Sequence, residues 1–380
     1  MFASLLGIAL AIAPGPTPPP SASSAAPPPV TEVLATPPPV EQVPATPPPA
    51  EEVFAIPAAL REALHAQVVV PGGNSDQQRL NRLVRFLFNP AGLGMGYQYD
   101  ADHTVTEAWQ TRKANCLSFT LLTIALAREA GIDAYGQEIN RILTWYRDGD
   151  TLYFSNHVNA GMRASGQRYT IDVASDSILS DEPPRQIDDT RLLAILYTNR
   201  AAGLLARGQH ALADNYMAAA FRADDSYPAA WNNAGVLALR MGRQDDAERN
   251  FRRTLDLDSK HEGALMNLAA LYASRGERSK ELQLRRRVER IQRHNPFHHF
   301  LLATEDEAQG EYASAAKGYR RAIALHDGEH QFYYGLARAY LHLGEHRKAG
   351  DALRRAQSLA DRSTAQRYRA KLDQLARKGL

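Results

Sequence analysis

Residues 227–258 read YPAAWNNAGVLALRMGRQDDAERNFRRTLDLD, and this stretch decides the fold of half the chain. Pro228 opens a helix at its first turn, where a missing N–H costs nothing, and Gly242 supplies the left-handed turn that ends it. Seven residues before that glycine stands the small Gly235, five after it Ala247 and nine after it the bulky Phe251. Working outward, glycines recur at 208, 242, 276, 310 and 344, each 34 residues from the next without insertion or deletion. The small position recurs as Ala201, Ala269, Ala303 and Ala337, the second small position as Ala213, Ala315 and Ala349, and the bulky one as Met217, Tyr319 and Leu353. Small against large is the knob and pocket of close helix packing, so the pattern predicts paired helices from about Ala194 to Arg362.

This period resembles the tetratricopeptide repeat (TPR), and the resemblance implies an all-α solenoid that holds a protein or peptide on its concave face. It implies no catalytic chemistry. The third unit departs from the pattern, with Glu281 at its small position and Arg285 at its bulky one, inside LQLRRRVERIQRH. That leaves open a binding surface or a longer exposed face. Residues 363–378 have helical spacing with Lys and Arg outside, as a terminal capping helix should.

Charge divides the chain. From Arg191 onward there are 32 Lys and Arg against 22 Asp and Glu; before it the counts are 12 and 20. A basic solenoid suits acidic peptides, anionic lipid or polyanions, and equally a solvated arginine-rich face. The run Met1–Ala13 is apolar and ends on small residues, like a signal peptide, yet it lacks an early Lys or Arg and is followed by Pro14. It is read as a signal peptide or a weak membrane anchor within segment 1–26, which sets the chain in the cell envelope or periplasm, with the cytoplasm left open. Then PPPVTEVLAT, PPPVEQVPAT and PPPAEEVFAI repeat every ten residues over 27–56, a composition that predicts a disordered, extended, semi-rigid linker.

Residues 57–190 have mixed character. Leu60 with Leu64, and Leu80, Leu83 with Phe86, mark two helices over 57–66 and 75–88. Cys116, the single cysteine, begins CLSFTLLTIALAREAGI, a helix that Asn115 can cap and Gly131 ends. A thiol at a helix N-terminus faces free N–H groups and the positive dipole end, which favour the thiolate. Strands are predicted over 134–146, 151–162 and 168–173, with turns at Arg147–Asp150 and Ser165–Gly166. His157 and Asp172 flank the second turn about equally and so come nearly opposite each other, where a carboxylate fixes the imidazole tautomer.

Cys116 at a helix start, His157 on a strand and Asp172 on the next resemble the transglutaminase-like core, a fold related to cysteine proteases. The segment Ala114–Phe119 with its long apolar helix strengthens the likeness. The resemblance implies an α+β, papain-like domain. In it Cys116 would be the nucleophile, His157 the general base and acid, Asp172 its orienting partner and Gln110 an oxyanion donor, with Trp109 a competing candidate for that last role. Three positions differ from the family pattern: Ala114 replaces a glycine, Asn159 an aromatic residue and Val173 a proline. No cofactor and no metal is implied. His294, His298 and His299 straddle Pro296 without a matched Cys or acidic partner, no phosphate loop is present, and the Arg285–Arg293 region lacks the aromatics of a single-strand binder, so no nucleic acid is expected. The expectation is therefore a thiol domain acting on an amide of a recruited protein or peptide, by hydrolysis or acyl transfer. The rival is a non-catalytic interaction scaffold whose thiol domain only binds or stiffens the first repeat.

Overall fold

The computed structural model describes residues 32–34, 43–70, 75–98, 100–139, 145–148, 151–154, 157–173, 183–360, 364–366, 368–369 and 371–372. Segment 1–26 and most of the first two proline decads lie outside the described residues. The chain forms two compact units, with the boundary between Val288 and Glu289.

In the first unit, β1 (Glu32–Leu34) precedes α1 (Ala50–Val53), α2 (Ala58–Leu64), which runs on as a π-helical turn over His65–Val69, and α3 (Asp76–Phe88). Next come β2 (Gly96–Tyr97), α4 (Val105–Thr111), β3 (Lys113–Ala114) and α5 (Cys116–Glu129). Strands β4 (Asp133–Ile139), β5 (Trp145–Asp148), β6 (Thr151–Phe154), β7 (His157–Ala164), β8 (Gln167–Ile171) and β9 (Arg185–Ile187) follow. The main sheet has the order β8-β7-β4-β9, all antiparallel, while β5 and β6 form a hairpin in a second sheet with β1. The first two strands expected from sequence are thus shared between two sheets, β4 and β7 in the main one and β5 and β6 in the second, while the third is the single strand β8.

Helix α5 is apolar on every side, as a central helix must be, and every residue from Leu117 to Ala127 is buried. It packs on β4 and β7, and the Thr120 hydroxyl donates to the Val158 carbonyl at 3.2 Å. Ser165 (φ 51°) and Gly166 (φ 77°) both occupy left-handed backbone, which matches the right-handed twist of the β7–β8 hairpin.

The helical pairs of this unit are α6 (Asp189–Ala206) with α7 (His210–Ala223), α8 (Pro228–Arg240) with α9 (Gln244–Leu257), and α10 (Glu262–Ser274) with α11 (Arg278–Arg293), the last crossing the unit boundary. The second unit contains α12 (Pro296–Ala308) with α13 (Tyr312–Leu325) and α14 (His330–His342) with α15 (His346–Leu359). Each first helix ends in the same way. Gly208 N–H donates to Leu205 O at 3.0 Å and Gln209 N–H to Leu204 O at 2.8 Å, the Schellman pair that satisfies carbonyls otherwise left open. The four later glycines repeat it, with φ between 73° and 81°. Gly235 has no room for a side chain, since a Cβ there would lie 2.4 Å from the Phe251 ring. In the third unit Glu281 takes the small position and is held by Arg278 and Arg285, each at 2.7 Å, so the polar run folds back on its own helix. Tyr368, on the helical residues after α15, is buried against Ala303, Tyr319 and Leu336, and the His330 ring meets its hydroxyl at 2.9 Å.

The last proline decad differs from the linker expected there. Pro48 and Val53 are buried and the Tyr197 hydroxyl donates to Pro48 O at 2.5 Å, while that of Tyr216 donates to the O of Pro44, in the decad before, at 2.9 Å. The first repeat has no preceding repeat to cover α6, whose residues are buried almost all round, and this decad helps to close that face.

Candidate active site

Asn115 stands just before α5 in extended backbone, and its side-chain oxygen accepts the Ser118 N–H at 2.9 Å. That places Cys116 in the first helical turn, where its own N–H and that of Leu117 have no intrahelical acceptor. The thiol is partly exposed. Across from it, His157 opens β7, and Asp172 follows the end of β8.

The two meet as the sequence suggested, with His157 Nε2 2.6 Å from Asp172 Oδ2 and both side chains at least nine-tenths buried. Their register is diagonal. Ala160 pairs with Ile171, so Asn159 rather than His157 stands opposite Asp172, and its Nδ2 donates to the same carboxylate oxygen at 3.2 Å. Asn159 therefore holds the aspartate. Cys116 lies close enough to His157 to act on its titration. Burial pushes the imidazole down, but the bond to Asp172, the nearby Cys116 and the charges of both outweigh it and raise the group to about 9. At neutral pH this histidine is a cation between a thiol and a carboxylate.

Gln110 is exposed on the last turn of α4 and takes no part in the bonds that join the other three. Trp109, partly buried, has the Arg112 guanidinium over its ring at 5.9 Å.

Two residues of the site carried no sequence signal. Tyr97 lies on β2, paired with Ala114 just before α5, and is 52% exposed. Its phenol is pushed up to about 12, by desolvation first and then by Cys116, Asp172 and Asp102, so it stays a hydrogen-bond donor near the thiol at neutral pH. Asp102 is buried behind Asn115 and is raised to about 6 by that burial, against the opposing effect of Asn199, Asn115 and Arg200. No motif marks either residue, because Tyr97 comes from a two-residue strand and Asp102 from the segment before α4.

The three histidines near Pro296 keep to themselves. His294 Nδ1 lies 2.9 Å from Arg290 O, His299 Nε2 3.0 Å from Arg293 O, and the rings of His298 and His299 are 5.8 Å apart, edge to face.

No curated protein matches the chain. Among solved structures it is similar to a MamA protein of Desulfovibrio magneticus RS-1, at 18% identity over 44% of this chain and 94% of that one, TM-score 0.25. It is also similar to YrrB, described as a TPR protein with an unusual peptide-binding site, at 17% identity over 47% of this chain and 92% of that one, TM-score 0.25. The family model of the tetratricopeptide repeat matches residues 234–296 and 300–365, so the 34-residue units read from the glycine spacing are tetratricopeptide repeats.

Proposed function

We propose that the repeats bind a protein or peptide on their concave face and that the preceding transglutaminase-like domain acts on an amide of that partner through Cys116. The observation that carries the catalytic half is the 2.6 Å bond between His157 and Asp172, with Cys116 close enough to raise the same imidazole. In this reading the thiolate attacks the amide carbonyl and an S–C bond forms while the oxyanion rests on the free N–H groups of the first α5 turn. Collapse breaks the C–N bond, and His157 gives its proton to the departing amine. Water or a second amine, deprotonated by His157, then attacks the thioester and restores the thiol. Asp172, fixed by Asn159, keeps the ring oriented throughout. The same reading sets the protein in the cell envelope, on the apolar run before Pro14.

The test is the rate of Cys116 alkylation by iodoacetamide against pH in the wild type and in His157→Ala. The expected wild-type rate holds a plateau through neutral pH, whereas the variant slows by roughly tenfold per pH unit on going down, as an ordinary thiol does. Equal and slow rates in both proteins would leave the domain without an activated thiol.

A further inference from the structure

Asn115 can cap α5 only one way round. Its oxygen accepts the Ser118 N–H, so its NH2 group must point away from the helix into protein, where it needs an acceptor. Asp102 provides it, with Asn115 Nδ2 2.8 Å from Asp102 Oδ1. The opposite rotamer would set NH2 against N–H and open the first turn that holds Cys116. Asp102 is itself held from the first solenoid helix. Asn199 Nδ2 donates to the same Oδ1 at 2.9 Å, and Arg200 donates to the Asp102 backbone carbonyl at 2.9 and 3.0 Å while reaching Glu107 at 2.6 Å. Glu107 belongs to the capping box that starts α4, and the same loop meets Ser118 twice, through Ala101 O at 2.5 Å and His103 N at 2.6 Å.

We infer that Asp102 is a positioning residue for the Cys116 thiol, acting through the Asn115 cap, and that α6 of the solenoid completes the thiol domain by holding Asp102 in place. The inference rests on the reading of Cys116 as an activated nucleophile. Its chemistry is specific: one carboxylate oxygen accepts both amides, whereas Oδ2 is buried with no hydrogen-bond partner. An asparagine can therefore take over, with its oxygen accepting both amides and its NH2 in the place of Oδ2. A leucine or alanine cannot.

The experiment compares iodoacetamide alkylation of full-length wild type, Asp102→Leu, Asp102→Ala and Asp102→Asn between pH 7 and 9, with a thermal melt of each. Asp102 is ionised over that range, and the groups that face the thiol are His157, Asp172 and Tyr97 in all four proteins. The variants lacking an acceptor should lose roughly fivefold to tenfold of the neutral-pH rate and bend toward the profile of a free thiol, the effect of a weakened cap and helix start. Asp102→Asn should stay within about twofold of wild type, since it keeps the acceptor. Either acceptor-less variant, whichever folds, overturns the inference if its melt is lower but its alkylation profile is that of wild type. So does Asp102→Asn if it falls as far as Asp102→Leu, which would assign the effect to charge. A wild type that reacts as a free thiol would refute the catalytic reading first, and the inference with it.

Discussion

The repeats and the thiol domain are built on opposite plans. Within a repeat, partners lie close in sequence: Gly235 meets Phe251 sixteen residues on, and each glycine closes its own helix through bonds that span three and five residues. In the thiol domain, and where it and the proline segment meet the first solenoid helix, the contacts are long. Asn199 reaches Asp102 across 97 residues, Tyr197 reaches Pro48 across 149, and Tyr169 meets Gln77 across 92. A solenoid of nearest neighbours absorbs damage locally, whereas a fold tied by long contacts shares it.

The strongest way to break that contrast is Phe251→Ala. The ring is fully buried and fills the space left by Gly235, so its loss should cost about 3–5 kcal/mol in urea unfolding. Hydrogen exchange should quicken in α8 and α9 and leave α5 protected, as expected of a repeat array. Equal loss of protection in α5 would show that the two regions unfold as one, and the distinction between plans would fall.

Titration sharpens the contrast next, because Asp102 and His157, two strongly shifted groups of the thiol domain, make it less stable as pH rises. Asp102 moves from 3.8 to about 6 on folding through burial, so the stability it allows while protonated is fully present below 3.8 and is lost as pH climbs through 6. His157 moves from 6.5 to about 9, so its contribution is complete below 6.5 and disappears as pH passes through 9. Each window is an effect of up to about 3 kcal/mol. Urea unfolding of the thiol domain, followed by exchange in α5, should weaken across both windows. Asp102→Asn should flatten the first, and His157→Ala the second. Slopes that persist in the variants would assign them to other groups.

What could be read in advance follows the same division. A 34-residue period is a local property, so the helical pairs, their glycine ends and their small and large positions were all legible in the chain. In the thiol domain Asn115, Cys116 and the Ser165–Gly166 turn were legible for the same reason, and with them the approach of His157 to Asp172. The diagonal register was not, because a two-residue offset depends on how β7 and β8 pair and leaves no mark on composition. Gln110 was proposed on spacing alone, and the structure leaves it exposed on α4. Asp102 and Tyr97 carried no signal, since what matters is Asn199 or Ala114 arriving from elsewhere. The last proline decad looked like the two before it, yet Tyr197 waits for its Pro48 carbonyl 149 residues downstream, and Tyr216 for the carbonyl of Pro44 in the decad before. Composition describes a segment without the surface that receives it.

Two glycines seven residues apart in the second repeat refine the local plan, and they should differ in size and in cause. At Gly235 a methyl would enter the Phe251 ring, so Gly235→Ala is an overpacking change worth about 1–3 kcal/mol, reduced when Phe251 is made smaller. At Gly242 a methyl would meet nothing within 4 Å, but the backbone has φ of 75°. Gly242→Ala should therefore cost only the left-handed conformation, about 1–2 kcal/mol, with Gly242→Asn costing less because asparagine enters that region more readily. Trimming Phe251 should leave the Gly242 effect unchanged. If it does not, the turn and the packing are coupled, and the repeat is less local than its period suggests.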